Sequence, residues 1–144
     1  MDRRAFIGAM ASGLLAAPLV ANAQPREKVV RLGFLAASPR EAIQGVVSTM
    51  VDRLSELGYV EGRNLVIEYR HAETEQKFQG LATQLVATGS EVLFAQGPYA
   101  LRGARAASAI IPIVGLDMES DPVAAGYAAS LARPGGNVTG VFLD

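Results

Sequence analysis

The sequence predicts a Rossmann-like α/β domain, a doubly wound parallel sheet with helices on both faces. Three observations predict it. Short apolar runs alternate with longer segments of helical period, and Gly or Pro punctuates their boundaries. The links between successive apolar runs are long enough for crossovers, which makes the strands parallel. Half of the 144 residues are hydrophobic and 19% are charged, so a packed core is feasible and disorder is not expected.

The first segment is an address rather than part of the fold. Arg3-Arg4 supplies a positive start, Phe6 to Val20 is uncharged and rich in Ala and Gly, and Ala21-Asn22-Ala23 fits a cleavage site. Residues 1–23 are therefore expected to be an export signal, and Arg3-Arg4-Ala5-Phe6-Ile7 resembles the twin-arginine type. Residues 24–28 read as a polar linker, and 29–144 as the α/β domain.

Val29 to Ala36 is largely apolar and reads as a first strand buried on both faces. Ser38-Pro39-Arg40-Glu41 matches a capping box, with a helix expected from Pro39 to Leu57 and stopped by Gly58. Its apolar stripe is Ala42, Val46, Val47, Met50, Val51, Leu54 and Leu57. Glu61 to Asn64 is a turn, and Leu65 to Tyr69 a second strand. A second helix starts near Thr74, carries Phe78, Leu81, Ala82, Leu85 and Val86 on one face, and stops at Gly89. Glu91 to Ala95 is a third strand, Gln96 to Tyr99 a loop, and Ala100 to Ser108 a third helix of small residues. Ile110 to Leu116 is a fourth strand. Asp121-Pro122 is a helix-start signal, with a side-chain acceptor followed by a ring where no N–H is needed. A fourth helix is expected from there to Arg133-Pro134-Gly135-Gly136, before a fifth strand from Val138 to Leu143. The predicted order is strand–helix four times, then a closing strand.

Composition narrows the function. A net charge of -1 offers no basic surplus for nucleic-acid phosphates. The absence of cysteine excludes disulfides, thiolate metal sites, cysteine nucleophiles and lipidated cysteine anchors. His71 is the only histidine, so neither a zinc site nor a Ser-His-Asp triad has support, and a solvent-facing strand end is expected for it. The Gly135–Gly140 run precedes a strand and lacks a Gly-Lys-Ser/Thr ending, so it is not a phosphate loop, and no cofactor is expected.

In a parallel sheet the loops after the strands share one edge, where ligands bind. Those loops hold Ala37-Ser38, His71 with Glu73, Gln96-Gly97-Pro98-Tyr99, and the acidic run Asp117, Glu119 and Asp121. Ser38 could present a hydroxyl and helix N–H groups to an anion, or only cap its helix. Gly97-Pro98 lets backbone approach a ligand closely, and Tyr99 could stack on one or wall a cleft; a tight turn explains them equally well. An acidic loop could hold a ligand amine or a hard cation, but Asp121 has a capping role and one loop rarely completes a metal shell.

Several segments occur together and in order: Arg31-Leu32-Gly33-Phe34-Leu35, Leu57-Gly58-Tyr59-Val60-Glu61-Gly62-Arg63-Asn64 running on to Arg70, Ile111 to Val114, and Asp121-Pro122-Val123 through Ser130-Leu131-Ala132-Arg133 to Gly140. With the export signal, they resemble the ABC-transporter substrate-binding proteins of the tryptophan-binding-protein-like family, type I periplasmic binding proteins. The resemblance implies an exported, soluble periplasmic protein that binds a small polar solute such as an amino acid. It further implies delivery to an inner-membrane permease without chemistry. Such proteins have two lobes, so this chain would be the N-terminal lobe only, a truncated form with the second lobe absent. The resemblance draws ligand contacts from the loops after the first, third and fourth strands. It thus nominates Ser38, Gln96, Gly97, Pro98, Tyr99 and Asp121, with Asp117 as a local addition. Two departures stand out: Pro98-Tyr99 replaces a small hydroxyl residue, and Gly115 to Ser120 is longer and more acidic than usual. The competing readings are a ligand-sensing module of a signalling system and an enzyme on the same sheet. The second lacks a nucleophile–base pair and a cofactor fingerprint.

Overall fold

The computed structural model describes residues 27–142. The export segment expected over residues 1–23 lies outside the described residues. The elements are β1 (Val30–Ala36), a 3-10 turn (Arg40–Ile43), α1 (Gln44–Glu56), β2 (Leu65–His71), α2 (Glu75–Ala87), β3 (Val92–Gln96), α3 (Pro98–Ala107), β4 (Ile113–Asp117) and β5 (Val138–Phe142). The strands form one parallel sheet in the order β2-β1-β3-β4-β5. This is the doubly wound arrangement. The chain moves outward from β1 to β2, then reverses across β1 to β3, β4 and β5.

Right-handed crossovers then fix which helix lies on which face. Alternation along β1 reads out both faces. Leu32, Phe34 and Ala36 pack with Val47 of α1 and with Leu65 and Ile67 of β2. Leu35 packs on the other side, with Leu93, Ala95 and Ile113 beneath Phe78, Ala82 and Leu85 of α2 and Ala100, Leu101 and Ala104 of α3. Each fully buried Leu or Phe contributes about 1.5–3 kcal/mol. Phe34 lies at the centre of an aromatic row on the α1 face, 4.7 Å from the Phe94 ring and 5.3 Å from that of Tyr69.

Both glycine stops act as the spacing predicts. Past α1, Gly58 N–H reaches Ser55 O and Tyr59 N–H reaches Leu54 O; past α2, Gly89 N–H reaches Val86 O and Ser90 N–H reaches Leu85 O. These are Schellman closures. Buried Asn64 then orders the turn before β2, accepting from Val60 N–H at 2.7 Å and donating to Gly58 O at 2.9 Å.

Two expected features are corrected. The capping box at Ser38 does not form. Pro39 is extended, with ψ 155, no side chain caps the turn, and Pro39 O accepts from Ala42 N–H. The chain therefore enters α1 through a 3-10 turn, and the regular helix starts at Gln44, not Pro39.

The fourth helix is absent as well. Asp121 does nucleate a turn: its Oδ1 accepts from Val123 N–H at 2.8 Å and Ala124 N–H at 3.0 Å. Gly126, at φ 73, then ends that turn, and Tyr127 N–H closes onto Pro122 O. The competing force is burial. The segment offers mostly Ala, whose propensity alone sustains little helix, while left-handed Gly126 drops Tyr127 into the core at 6% exposure against Phe142. Among the described residues the pattern is therefore three α-helices, with an irregular connection from β4 to β5. Asn137 anchors its end, donating to Ser108 O and Ile111 O.

The crossovers from β2 onward all use one face, so among the described residues α1 alone covers the other. A groove of about 390 Å³ remains open there, lined chiefly by Leu32, Met50, Leu54, Val92, Phe94 and Val114.

Candidate functional site

The sheet order reverses between β1 and β3, so the loops leaving those strands turn to opposite faces and open a crevice at their carboxyl ends. Register defines the rim. Ala36 pairs with His71 on one side and with Gln96 on the other, and Gln96 pairs with Leu116. At about 4.8 Å per strand, the ends of β2 and β3 lie roughly 10 Å apart across β1.

Gly97 sits at the crevice. Its φ of 92 is left-handed, and a side chain there would be strained. A Cβ at this position would come within 3.9 Å of Ala37 Cβ, so the loops after β1 and β3 run side by side with about a methyl's room between them. Gly97 N–H donates to Leu116 O at 2.8 Å, which ties the same loop to β4. Pro98 occupies the first turn of α3, and Gly97 O accepts from Leu101 N–H. The α3 N-terminus thus starts at the rim with no side-chain cap. Tyr99, 44% exposed, is held by a relay: Glu75 accepts from Arg102 Nε at 2.8 Å, and the Arg102 guanidinium lies 4.9 Å from the Tyr99 ring centre. Gln96 is half-buried, and its Oε1 is buried without a hydrogen-bond partner. An unpaired buried acceptor at a rim marks where a ligand donor or water fits.

The sequence-nominated residues fall into two groups. Ser38, Gln96, Gly97, Pro98 and Tyr99 come from the two loops that meet at the switch point. Asp117 ends β4 one strand over at the same edge, and Asp121 lies in the loop beyond it. Asp117 is fully buried on the α3 face of β4; its Oδ1 accepts from Glu119 N–H and Ser120 N–H, while Oδ2 has no partner. Asp121 is exposed and spends its Oδ1 on Val123 and Ala124. Both carboxylates order the loop after β4. Tyr127 completes this corner: burial pushes its phenol above the ordinary 10.0, Arg102 pulls against that shift, and Asp117 adds to it. His71 ends β2 exposed, as its sequence position suggests. Among the described residues, no group of three or more His, Asp or Glu side chains is placed to hold a metal ion. No described helix is long and apolar enough to cross a membrane.

Sequence reasoning missed two residues at this edge, Arg40 and Tyr69. Arg40 leaves the 3-10 turn with its guanidinium 4.3 Å from the Tyr69 ring centre. The Tyr69 hydroxyl is buried without a partner, and burial raises its pKa above 10.0, with Arg40 opposing the shift. Alternation along β2 could have placed Tyr69 on the α1 face. Nothing local tells that Arg40 folds back over it. A wider void, about 630 Å³, lies at the opposite edge, lined by Ile110, Pro112 and Pro134 to Thr139. It belongs to the amino ends of β4 and β5, away from the crevice.

The family model for ABC transporter substrate binding proteins matches residues 36–144. A tyrosine-binding protein of Clostridioides difficile (strain R20291) is 29% identical over 118 residues, which is 80% of this chain and 33% of that protein. The chain thus spans about a third of the length of the curated relative it matches. Among solved structures, an ABC domain from Streptococcus pneumonia in complex with L-Trp aligns with a TM-score of 0.70 at 26% identity, covering 80% of this chain and 39% of that one. A conserved domain protein from Vibrio cholerae aligns at 0.71 with 29% identity, over 78% of this chain and 38% of that one. The ligand-free, open structure of a substrate binding protein with adhesive properties from Clostridium difficile aligns at 0.70 with 27% identity, over the same shares of 78% and 38%.

Proposed function

The chain belongs to the ABC transporter substrate binding protein family, and from that premise we propose that it captures an amino-acid-like solute for an ABC importer. The solute is held and released unchanged, and the partner that receives it is a permease of the inner membrane. The export signal read at residues 1–23 places this work in the periplasm, with the twin-arginine route as the means of arrival. The solute class follows from the relatives, one a tyrosine-binding protein and one solved with L-Trp.

The single observation that carries the reading is the meeting of the β1 and β3 loops at the switch point. Ala37-Ser38 and Gln96 to Tyr99 form one wall of a crevice there, with Gly97 running beside Ala37 at its base. A backbone N–H donor edge, an unpaired amide oxygen on Gln96 and a fixed aromatic ring on Tyr99 suit a small zwitterion with an apolar side chain. Ser38, Gln96, Gly97, Pro98 and Tyr99 are the proposed contacts. Asp117 and Asp121 serve by fixing the neighbouring loop, with any pull on a ligand amine exerted through Asp117 Oδ2.

Thermal-shift titration of the full chain with the L-amino acids, aromatic ones first, tests this. A ligand that binds only the folded state stabilises it by about 2.7 kcal/mol at a hundredfold excess over Kd. A saturable rise in Tm for one chemical class is expected, and a flat response to every amino acid would overturn the proposal.

A further inference from the structure

We propose that a small niche beside Arg40, at the carboxyl ends of β1 and β2, receives the carboxylate of the solute. The assignment rests on the amino-acid reading above and makes it specific. The niche has a volume of about 40 Å³ and is lined by apolar Phe34, Ala36 and Ile43 and by polar Ser38, Arg40, Tyr69, Arg70 and His71. That is enough for a carboxylate or a few waters. A solute anchored here by its carboxylate would extend its side chain towards Gln96 and Tyr99.

Two observations point to an anion. The first is the Tyr69 hydroxyl, buried with no hydrogen-bond partner. Such a group costs about 1–3 kcal/mol unless something meets it, and a carboxylate oxygen would accept its proton. The second is the state of Arg40. Among the described residues, Arg31, Arg53, Arg63, Arg70 and Arg102 each reach a carboxylate within 4.0 Å. Arg40, Arg105 and Arg133 reach none; Arg105 donates to Gly126 O instead, whereas Arg40 lies over the Tyr69 ring at the niche, 4.3 Å from its centre. A guanidinium lying over a ring can still turn its N–H groups towards a carboxylate. Arg70, also at the niche, is already engaged with Glu68 and with Tyr69 O. Arg40 is thus the unspent positive charge of this corner.

The test uses the full chain and two probes, acetate with acetamide as its neutral twin, and L-tyrosine with L-tyrosinamide. Acetate is expected to shift the NMR signals of Arg40 Nε–H and the Tyr69 ring saturably, and acetamide to leave them in place. Arg40→Gln, a change at an exposed side chain, should weaken acetate binding at least about tenfold. Tyr69→Phe keeps the ring and should weaken it too. L-Tyrosine should lose most of its affinity on either substitution, and the amide little. Unmoved Arg40 and Tyr69 signals, or equal binding by wild type and Arg40→Gln, would overturn the niche even where amino acids bind. Acetate bound in the niche with no response to any amino acid would uphold the niche and defeat the importer reading instead.

Discussion

Gly103 is where the fold and the crevice are most tightly joined, and Gly103→Ala measures that coupling. A methyl group at Gly103 would lie 2.6 Å from Phe78 Cβ, 2.7 Å from Phe78 C and 2.9 Å from Gln79 N. Two of these neighbours are backbone atoms and cannot swing away. Carbon atoms pack at about 3.5–4.0 Å, so α2 and α3 must part by roughly 1 Å. Overpacking of this kind costs about 1–3 kcal/mol. Replacing Gly by Ala inside a helix returns close to 1 kcal/mol, so a net loss of about 1 kcal/mol is expected. Gly80, in the middle of α2, is the control, because a Cβ there meets nothing within 4 Å. Gly80→Ala should stabilise by about 0.5–1 kcal/mol, which sets the two variants about 2 kcal/mol apart. Urea unfolding, with midpoints compared at unchanged m, resolves that gap. The displacement also has a functional reading, since α3 carries Tyr99 at its first turn, and Gly103→Ala should weaken solute binding where Gly80→Ala does not. A Gly103→Ala midpoint equal to or above that of Gly80→Ala would refute the packing argument.

Three further outcomes are expected. Gly97→Ala forces an L side chain to φ 92, which costs roughly 1–2 kcal/mol; urea unfolding should show that loss, and titration calorimetry a weaker solute affinity. Burial holds the Tyr69 and Tyr127 phenols above 10.0, so the folded chain keeps protons that the unfolded chain has released. Their contribution is complete below pH 10 and is lost as pH rises through the folded values, and a Tyr69→Phe, Tyr127→Phe double variant should flatten the fall seen by circular dichroism in that window. Asp121→Ala removes the acceptor for Val123 and Ala124 N–H; hydrogen exchange should quicken at those two amides, with a global loss near 1 kcal/mol or below.

Much of the sheet was legible because its signals are local. Apolar runs such as Val29 to Ala36 and Glu91 to Ala95 are short and sharply bounded, and Gly58 and Gly89 end their helices where the periodic stripe ends. The failures share a cause. Ser38-Pro39 and Asp121-Pro122 both look like helix starts, yet a start signal says nothing about how far a helix runs. Pro39 stays extended and delays α1, and Gly126 ends the turn begun at Asp121-Pro122 before it becomes a helix. In each case the deciding event is tertiary. Ile43 and Tyr127 reach the core only along the irregular path.

The crevice divides in the same way, and this bears on how such sites are found. Ser38 and the Gln96–Tyr99 loop follow from strand order alone, since topology brings those loops to one edge whatever their side chains. Asp117 looked like a ligand contact because it is acidic and lies in a loop after a strand. The structure puts it at the end of β4, facing α3, where Oδ1 is taken by Glu119 and Ser120 N–H and Oδ2 has no partner. Arg40 carries no such signal. Its sequence neighbours make it one charge in a helix start, and its significance arises only because Tyr69, 29 positions on, is paired beside Phe34. Charge in a sequence marks where electrostatic work can be done; which charges are left over to do it is settled by partners distant along the chain. A site search that ranks charged residues by their unmet hydrogen bonds will therefore favour Arg40 over Asp121, and the acetate titration is the measurement that decides between those two rankings.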